Sequence, residues 1–189
     1  MPSQTKSEKE KMLAGELYIA EDAVLTAERL HTAAFLHKYN TAPHHPATHQ
    51  PLLREILATC GEHSTIRPPF FCDYGYNIHL GTGVFLNFNC VLLDVNTIEI
   101  GDRTQIGPAV QIYAADHPRN PEARLANLEC GKPVRIGRNV WIGGGAIILP
   151  GITIGDDAII GAGSVVTHDI PSGVTVIGNP ARKKETPAR

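Results

Sequence analysis

A large aliphatic residue recurs at every sixth position through most of the chain's second half. The positions are Ile136, Ile142, Ile148, Ile154, Ile160 and Val166, and the same interval occurs earlier at Leu80, Leu86 and Leu92 and at Ile100, Ile106 and Ile112. Neither an α-helix, with a period of about 3.6 residues, nor a single strand, with a period of about 2, produces this spacing. Three short strands joined by tight turns do produce it, when such coils stack as a solenoid. The interval therefore predicts a mainly β fold, a parallel β-helix built from hexapeptide repeats.

The other positions of each hexad agree with this prediction. The residue after the large aliphatic one is often glycine, as at Gly137, Gly143 and Gly155, where the chain turns and a Cβ is unfavourable. The fifth position is small or β-branched, as at Val140, Ala146, Ala158 and Ser164. Alternating large and small inward side chains fill a triangular prism. The aromatic content of 6 % also suits a narrow interior.

Residues 1–60 lack the interval and are predicted to be helical. Ser7 and Gly15 bound a short helix over 7–14, and apolar spacing predicts a second helix over 22–39. Three prolines and three histidines in 41–51 predict a connector, with His44, His45 and His49 in a surface loop rather than a metal cluster. Pro51 is expected to begin a third helix over 51–57. We therefore expect a helical segment over 1–60 and a solenoid over 61–189.

The repeat is interrupted once, directly after His117. The hexad that begins at Ile112 ends at His117, and the next clear hexad begins near Cys130. The intervening residues 118–129 carry two prolines, two arginines and two acids, which predicts an excursion from the solenoid. A long loop in a compact repeat fold is usually functional or disordered. His117 is a candidate general base because neutral imidazole accepts a proton near pH 7.

Composition excludes several classes of partner. The formal net charge of −2 gives no electrostatic basis for nucleic-acid binding. The polar first 15 residues contain no apolar signal region, and no run is long and apolar enough to cross a bilayer. Four scattered cysteines without a C-x-x-C pair predict reduced thiols. We expect a cytoplasmic protein with no membrane or nucleic-acid partner.

Several segments together resemble the hexapeptide-repeat sugar O-acetyltransferases, most closely the maltose type and slightly less closely the galactoside and nodulation types. They are 8–18 (EKEKMLAGELY), 72–78 (CDYGYNI), 87–90 (NFNC), 117–118 (HP), 131–134 (GKPV), 139–144 (NVWIGG) and 178–182 (GNPAR). The resemblance covers nearly the whole chain. It implies a left-handed coil, acetyl-CoA as donor, a sugar hydroxyl as acceptor and a homotrimer with active sites between subunits. Cyclic symmetry gives such a trimer three equal clefts.

The resemblance also implies roles for individual residues. His117 deprotonates the sugar hydroxyl for direct attack on acetyl-CoA, without an acetyl-enzyme and without a metal. The backbone N–H of Gly144, which replaces a serine common in relatives, stabilises the oxyanion. Asp73, Asn87 and Arg29 match sugar-binding positions, where hydrogen-bonding side chains suit a polyol.

The donor is expected to bind along one edge of the solenoid. The pantetheine lies near Gly144, Ala162 and Thr167, and the nucleotide phosphates meet Arg182 and Lys183. His168 replaces a lysine common in relatives. Two positions where the galactoside type supplies acids are Ala20 and Val95 here, which leaves the sugar open. Asp94, beside Val95, either substitutes for such an acid or caps a turn.

Two other classes of protein remain open. A zinc hydratase of the carbonic-anhydrase type uses the same solenoid, but it carries a second histidine five residues after the first, where Glu122 stands here. A non-catalytic scaffold would have no reason to combine His117, Asn87 and the N-terminal segment 8–18. Failure to bind acetyl-CoA would favour the scaffold.

Overall fold

The computed structural model describes residues 5–43 and 45–184. The N-terminal segment contains α1 (Glu8–Leu13), a short strand β1 (Tyr18–Ile19), α2 (Ala23–Thr41) and α3 (Pro46–Ile56). Ser7 caps α1 in a reciprocal capping box with Glu10, and the Asp22 side chain accepts the first free N–H groups of α2. The first two predicted helices are therefore present, and α2 begins one residue later and ends two residues later than expected.

The predicted connector over 41–51 is wrong in its second half. α3 begins at Pro46 and continues through Pro51. The N–H groups of a helix's first turn have no partner within the helix, so a proline, which lacks an N–H, is tolerated there. Both Pro46 and Pro51 satisfy this rule, and the sequence alone therefore did not identify where the helix begins. His49 is buried on α3, with its ring edge-on to Tyr39 at a centroid distance of 4.8 Å. His49 is thus a core residue rather than a loop residue, and His44 lies outside the described residues.

Most of the remaining described chain forms a triangular prism. Each of its three faces is a sheet of parallel strands, and the strands are grouped below by face. Face 1 contains β2 (Thr59–Cys60), β5 (Ile78–Leu80), β8 (Ile98–Ile100), β13 (Val134–Ile136) and β16 (Thr153–Ile154). Face 2 contains β3 (Thr65–Ile66), β6 (Phe85–Leu86), β9 (Gln105–Ile106), β14 (Trp141–Ile142), β17 (Ile159–Ile160), β19 (Thr175–Ile177) and the antiparallel β20 (Arg182–Lys183). Face 3 contains β4 (Phe70–Cys72), β7 (Cys90–Leu93), β10 (Gln111–Tyr113), β15 (Ile147–Ile148) and β18 (Val165–Val166). The predicted β-helix is confirmed.

The large aliphatic residues of the six-residue interval form the core. All twelve named above are buried, and the strand register stacks them in columns, with Ile136 paired to Ile100 and to Ile154. Each such side chain contributes roughly 1.5–3 kcal/mol through burial. An ideal Cβ at Gly107 or Gly143 would lie 2.5 Å from a backbone nitrogen of the next coil. Close stacking of coils therefore requires glycine at these turns.

The predicted excursion leaves the solenoid after face 3 and forms a compact arm. The arm consists of β11 (Ala115–Asp116), α4 (Pro121–Leu125) and β12 (Leu128–Gly131). β12 pairs antiparallel with β11 and also with β1, so the arm is tied to the N-terminal segment. The face-1 ladder continues across the insertion, since Val134 of β13 pairs with Ile98 of β8.

The four cysteines are free thiols, as the sequence predicts: Cys60, Cys72, Cys90 and Cys130. None of the helices formed by residues 5–43 and 45–184 has the length and apolar character needed to cross a membrane. Within the same residues, no group of three or more His, Cys, Asp or Glu side chains is arranged to hold a metal ion.

Candidate active site

A cavity of about 350 Å³ lies where the chain passes from face 3 to face 1, here named corner 3–1. Three of the predicted site residues, Arg29, Asp73 and His117, line it. Its other lining residues are Tyr18, Ala20, Glu21, Tyr74, Leu93, Val95, Ala115 and Glu129. They meet because α2, the ends of face-3 strands and the arm converge at this corner.

Arg29 is held at the cavity by three hydrogen bonds, the longest from its Nη2 to Thr26 Oγ1 at 3.3 Å. Its Nη1 donates to the Tyr74 hydroxyl at 2.8 Å, and its Nη2 donates to the Ala20 carbonyl at 2.8 Å. Asp73 lies nearby, directly after β4. Burial raises the pKa of the Asp73 carboxyl to about 6, and the opposite charge of Arg29 offsets part of that rise. The Arg29 guanidinium thus partly balances a desolvated acid.

Sequence reasoning missed several residues of this cavity, among them Tyr18, Tyr74 and Glu129. The Tyr18 hydroxyl donates to Glu129 Oε2 at 2.9 Å, across the β1–β12 pairing. These residues come from separate segments, so no local spacing in the sequence indicates that they meet. The cavity as a whole offers carboxylate acceptors and a guanidinium donor, which suits a ligand with several hydroxyl groups.

His117 follows β11 and is exposed at the edge of the cavity. Its backbone N–H donates to Asp116 Oδ1 at 2.8 Å. Both terminal nitrogens of Arg119 donate to the same carboxylate, at 2.8 and 3.1 Å. A bidentate arginine–carboxylate pair fixes orientation well, so the turn that presents His117 is held in place while its imidazole stays accessible.

Asn87, Gly144 and Ala162 lie at a different edge, where the chain passes from face 2 to face 3, here named corner 2–3. They follow β6, β14 and β17, strands that are linked through face 2 in parallel register. The Gly163 N–H donates to the Gly144 carbonyl at 2.9 Å, and the Gly145 N–H donates to the Pro108 carbonyl at 2.8 Å. Among the residues that the structure describes, the Gly144 N–H has no such acceptor.

Asn87 is therefore not brought together with His117 in one chain. The two corners stand at opposite ends of the face-3 strands. Five residue-to-residue steps lead from Ala109 to Ala114 along β10, which corresponds to about 17 Å at roughly 3.3 Å per step. A single chain thus carries Arg29, Asp73 and His117 on one edge and Asn87, Gly144 and Ala162 on another.

The predicted phosphate-binding cations lie at the C-terminal end of the prism. Arg182 and Lys183 are exposed and line a cavity of about 470 Å³ together with His168. Thr167 follows β18 at corner 3–1, and its hydroxyl is 2.8 Å from His168 Nδ1. Thr167 is consequently close to this end cavity but not in the corner that holds Gly144 and Ala162.

A prism of stacked hexads, with a glycine corner and a histidine on an inserted arm, defines the class of hexapeptide-repeat transferases. The profile described as "Bacterial transferase hexapeptide (six repeats)" matches residues 133–168. The profile described as "Maltose acetyltransferase hexapeptide capping motif" matches residues 11–61.

Full-length relatives define the family within that class. The chain is 60 % identical over 181 residues to nodulation protein L of Rhizobium leguminosarum bv. viciae, with 95 % of each chain covered. A solved maltose O-acetyltransferase from Clostridium difficile 630 superposes with a TM-score of 0.94 at 44 % identity, covering 98 % of this chain and all of that one. A galactoside acetyltransferase solved in complex with coenzyme A gives a TM-score of 0.91 at 37 % identity, covering 96 % and 91 %. The chain belongs to this family of hexapeptide-repeat O-acetyltransferases and is an enzyme, which confirms the resemblance.

Proposed function

We propose that this enzyme transfers the acetyl group of acetyl-CoA to a hydroxyl of a maltose- or glucose-like sugar, with His117 as general base. The observation that carries the proposal is the cavity that His117 shares with Arg29 and Asp73. Its hydrogen-bonding groups suit a polyol, and the exposed His117 at its edge can accept the proton of a hydroxyl bound there. The named activities of the maltose and galactoside relatives support the choice of donor and acceptor.

The reaction proceeds by direct attack. His117 takes the proton of the sugar hydroxyl as its oxygen bonds to the thioester carbonyl carbon. The carbonyl oxygen becomes an oxyanion, which accepts a hydrogen bond from the Gly144 N–H. Collapse of this tetrahedral intermediate breaks the C–S bond, and the protonated His117 returns its proton to the departing thiolate of coenzyme A.

The separation of the two corners supports an active site shared between subunits of a trimer. Corner 2–3 and its flanks expose large apolar side chains, namely Phe71, Phe88, Trp141 and Ile177. The outward positions of face 1 are polar instead: His79, Glu99, Arg135 and Thr153. An apolar exposed surface of this kind is characteristic of a subunit interface. In the proposed trimer, corner 3–1 of one subunit faces corner 2–3 of the next.

Acetyl-CoA would then lie along corner 2–3. Glycine and alanine at positions 144 and 162 allow close approach of the pantetheine, and the Asn87 amide, whose Oδ1 accepts from the Phe88 N–H, would have its Nδ2 for the acceptor. Arg182 and Lys183 at the end of the prism bind the nucleotide phosphates. No step of this reaction uses a metal.

Release of free thiol from acetyl-CoA, measured against maltose, glucose, galactosides and oligosaccharides, tests the proposal. His117→Ala should lower kcat by about 10²–10⁴-fold, the usual contribution of a general base. His79→Ala, on the polar face 1, is the matched control and should keep the kcat of the wild type. A near-normal kcat in His117→Ala would refute the role of His117, and no turnover with any sugar would refute the proposed acceptor class.

A further inference from the structure

Asp94 is a fully buried carboxyl directly behind the acceptor cavity. Its neighbours in the chain, Leu93 and Val95, line the cavity, but Asp94 turns away from it. Asp94 Oδ1 accepts hydrogen bonds from the backbone N–H groups of Asp73 and Tyr74, both at 2.9 Å. One oxygen of Asp94 thus holds two consecutive residues of the neighbouring coil.

The second oxygen of Asp94 is unusual. Oδ2 is buried and has no hydrogen-bond partner among residues 5–43 and 45–184. Burial raises the pKa of this carboxyl to about 7. A buried, incompletely satisfied carboxyl lowers the stability of a fold, so a merely structural cap would be better served by a residue without the second oxygen.

The two residues that Asp94 holds are both connected to the acceptor. Asp73 lines the cavity with its own carboxylate. Tyr74 accepts the 2.8 Å hydrogen bond that fixes the Arg29 guanidinium. The same turn is held from its other end, where Asn77 Nδ2 donates to the Asp94 carbonyl at 2.7 Å. The position of the Asp73 carboxylate, and one of the hydrogen bonds that hold the Arg29 guanidinium, therefore depend on this one turn.

We propose that Asp94 is a positioning residue for acceptor binding. By holding the backbone of the 73–74 turn, Asp94 fixes the position of the Asp73 side chain directly and helps to fix that of Arg29 through Tyr74. The inference rests on the proposed function of the cavity. Asp94 does not touch the substrate. Its loss should therefore change acceptor binding while the donor edge, at corner 2–3, is unaffected.

Steady-state kinetics of Asp94→Ala and Asp94→Asn test this inference. Asp94→Ala removes the acceptor oxygen and should raise the acceptor KM about tenfold, with kcat at saturating acceptor and the acetyl-CoA KM within about twofold of the wild type. Asp94→Asn keeps an oxygen in the Oδ1 position and should restore an acceptor KM within about threefold of the wild type. Asp94→Ser replaces Asp94→Ala in the test if Asp94→Ala fails to fold. Its small polar side chain carries an oxygen that falls short of both N–H groups, so it should show the same rise in acceptor KM.

Asn96→Ala is the matched control. Asn96 is a buried polar residue two positions away, and its side chain donates to the end of α1 rather than to the 73–74 turn. An unchanged acceptor KM in both Asp94→Ala and Asp94→Ser would overturn the inference, as would an equal rise in Asn96→Ala. Failure of the proposed function itself would appear differently, as a wild-type enzyme that acetylates no sugar.

Discussion

Two inactive variants are expected to restore activity when they assemble into one trimer. His117→Ala removes the proposed base at corner 3–1, and Asn87→Ala removes an amide at corner 2–3. Within one chain these positions lie at opposite ends of face 3. If one site uses His117 of one subunit and Asn87 of the next, a mixed trimer contains interfaces at which both residues are intact.

The size of the recovery follows from the threefold arrangement. In a random equal mixture, a given subunit retains His117 with a probability of about one half, and the subunit that faces it retains Asn87 with the same probability. About one quarter of the sites are then intact, so the mixture should show about one quarter of the wild-type kcat per subunit. If both residues served the same chain's site, no subunit would hold an intact pair and nothing would be recovered.

The assay is thiol release from acetyl-CoA after the two variants are unfolded together and refolded, with each variant refolded alone as the baseline. A wild-type chain refolded with the His117→Ala/Asn87→Ala double variant is the control. It should give about one quarter of wild-type activity for a shared site and about half for a site within one chain. Absence of recovery in the first mixture, together with about half activity in the second, would refute the shared site.

Three further changes have defined outcomes. Ile148→Ala, at a fully buried position of face 3, should lower the free energy of unfolding by about 2–5 kcal/mol through the cavity that it leaves; a loss well below 1 kcal/mol in urea titration would contradict the packed core. Gly143→Ala places a Cβ 2.5 Å from the Ala162 nitrogen, so it should push apart the coils at corner 2–3. Acetyl-CoA binding measured by calorimetry should weaken as a result. An unchanged Kd for acetyl-CoA would argue against this edge as the donor site. The pKa of Asp94 is raised by burial to about 7, so its contribution to stability is present below about pH 4 and is lost as the pH rises through 7. Asp94→Asn should accordingly gain stability relative to the wild type between pH 4 and pH 8, by on the order of 4 kcal/mol at most, and a difference that does not change with pH in urea titrations would refute the buried, titrating carboxyl.

The solenoid was predictable because its signal is periodic and its cause is simple. Ile142, Ile148 and Ile160 point inward for the same steric reason, and close stacking at Gly143 accounts for the glycine beside them. The helix over 46–56 was less predictable, because Pro46 and Pro51 are both compatible with a first turn and only tertiary packing against Tyr39 distinguishes them. Tertiary context overrides such local signals.

The candidate site was predictable only in part. His117 could be found because it stands where the repeat stops, and Asp73 and Arg29 through the resemblance to the family. Tyr18, Tyr74 and Glu129 could not be found, since they reach the cavity through pairing of β1 with β12 and through one hydrogen bond to Arg29. Their contribution arises from contacts between distant segments, which leave no pattern in any one stretch of sequence.

The unbroken ladder across the arm has an evolutionary consequence. Because β8 pairs with β13 as though residues 115–131 were absent, the arm can change in length and composition without disturbing the repeats on either side. The arm supplies His117 and part of the cavity wall, whereas corner 2–3 belongs to the repeats. A lineage can thus vary part of the cavity wall by changing one insertion, while the repeats that form corner 2–3, the proposed donor edge, stay unaltered.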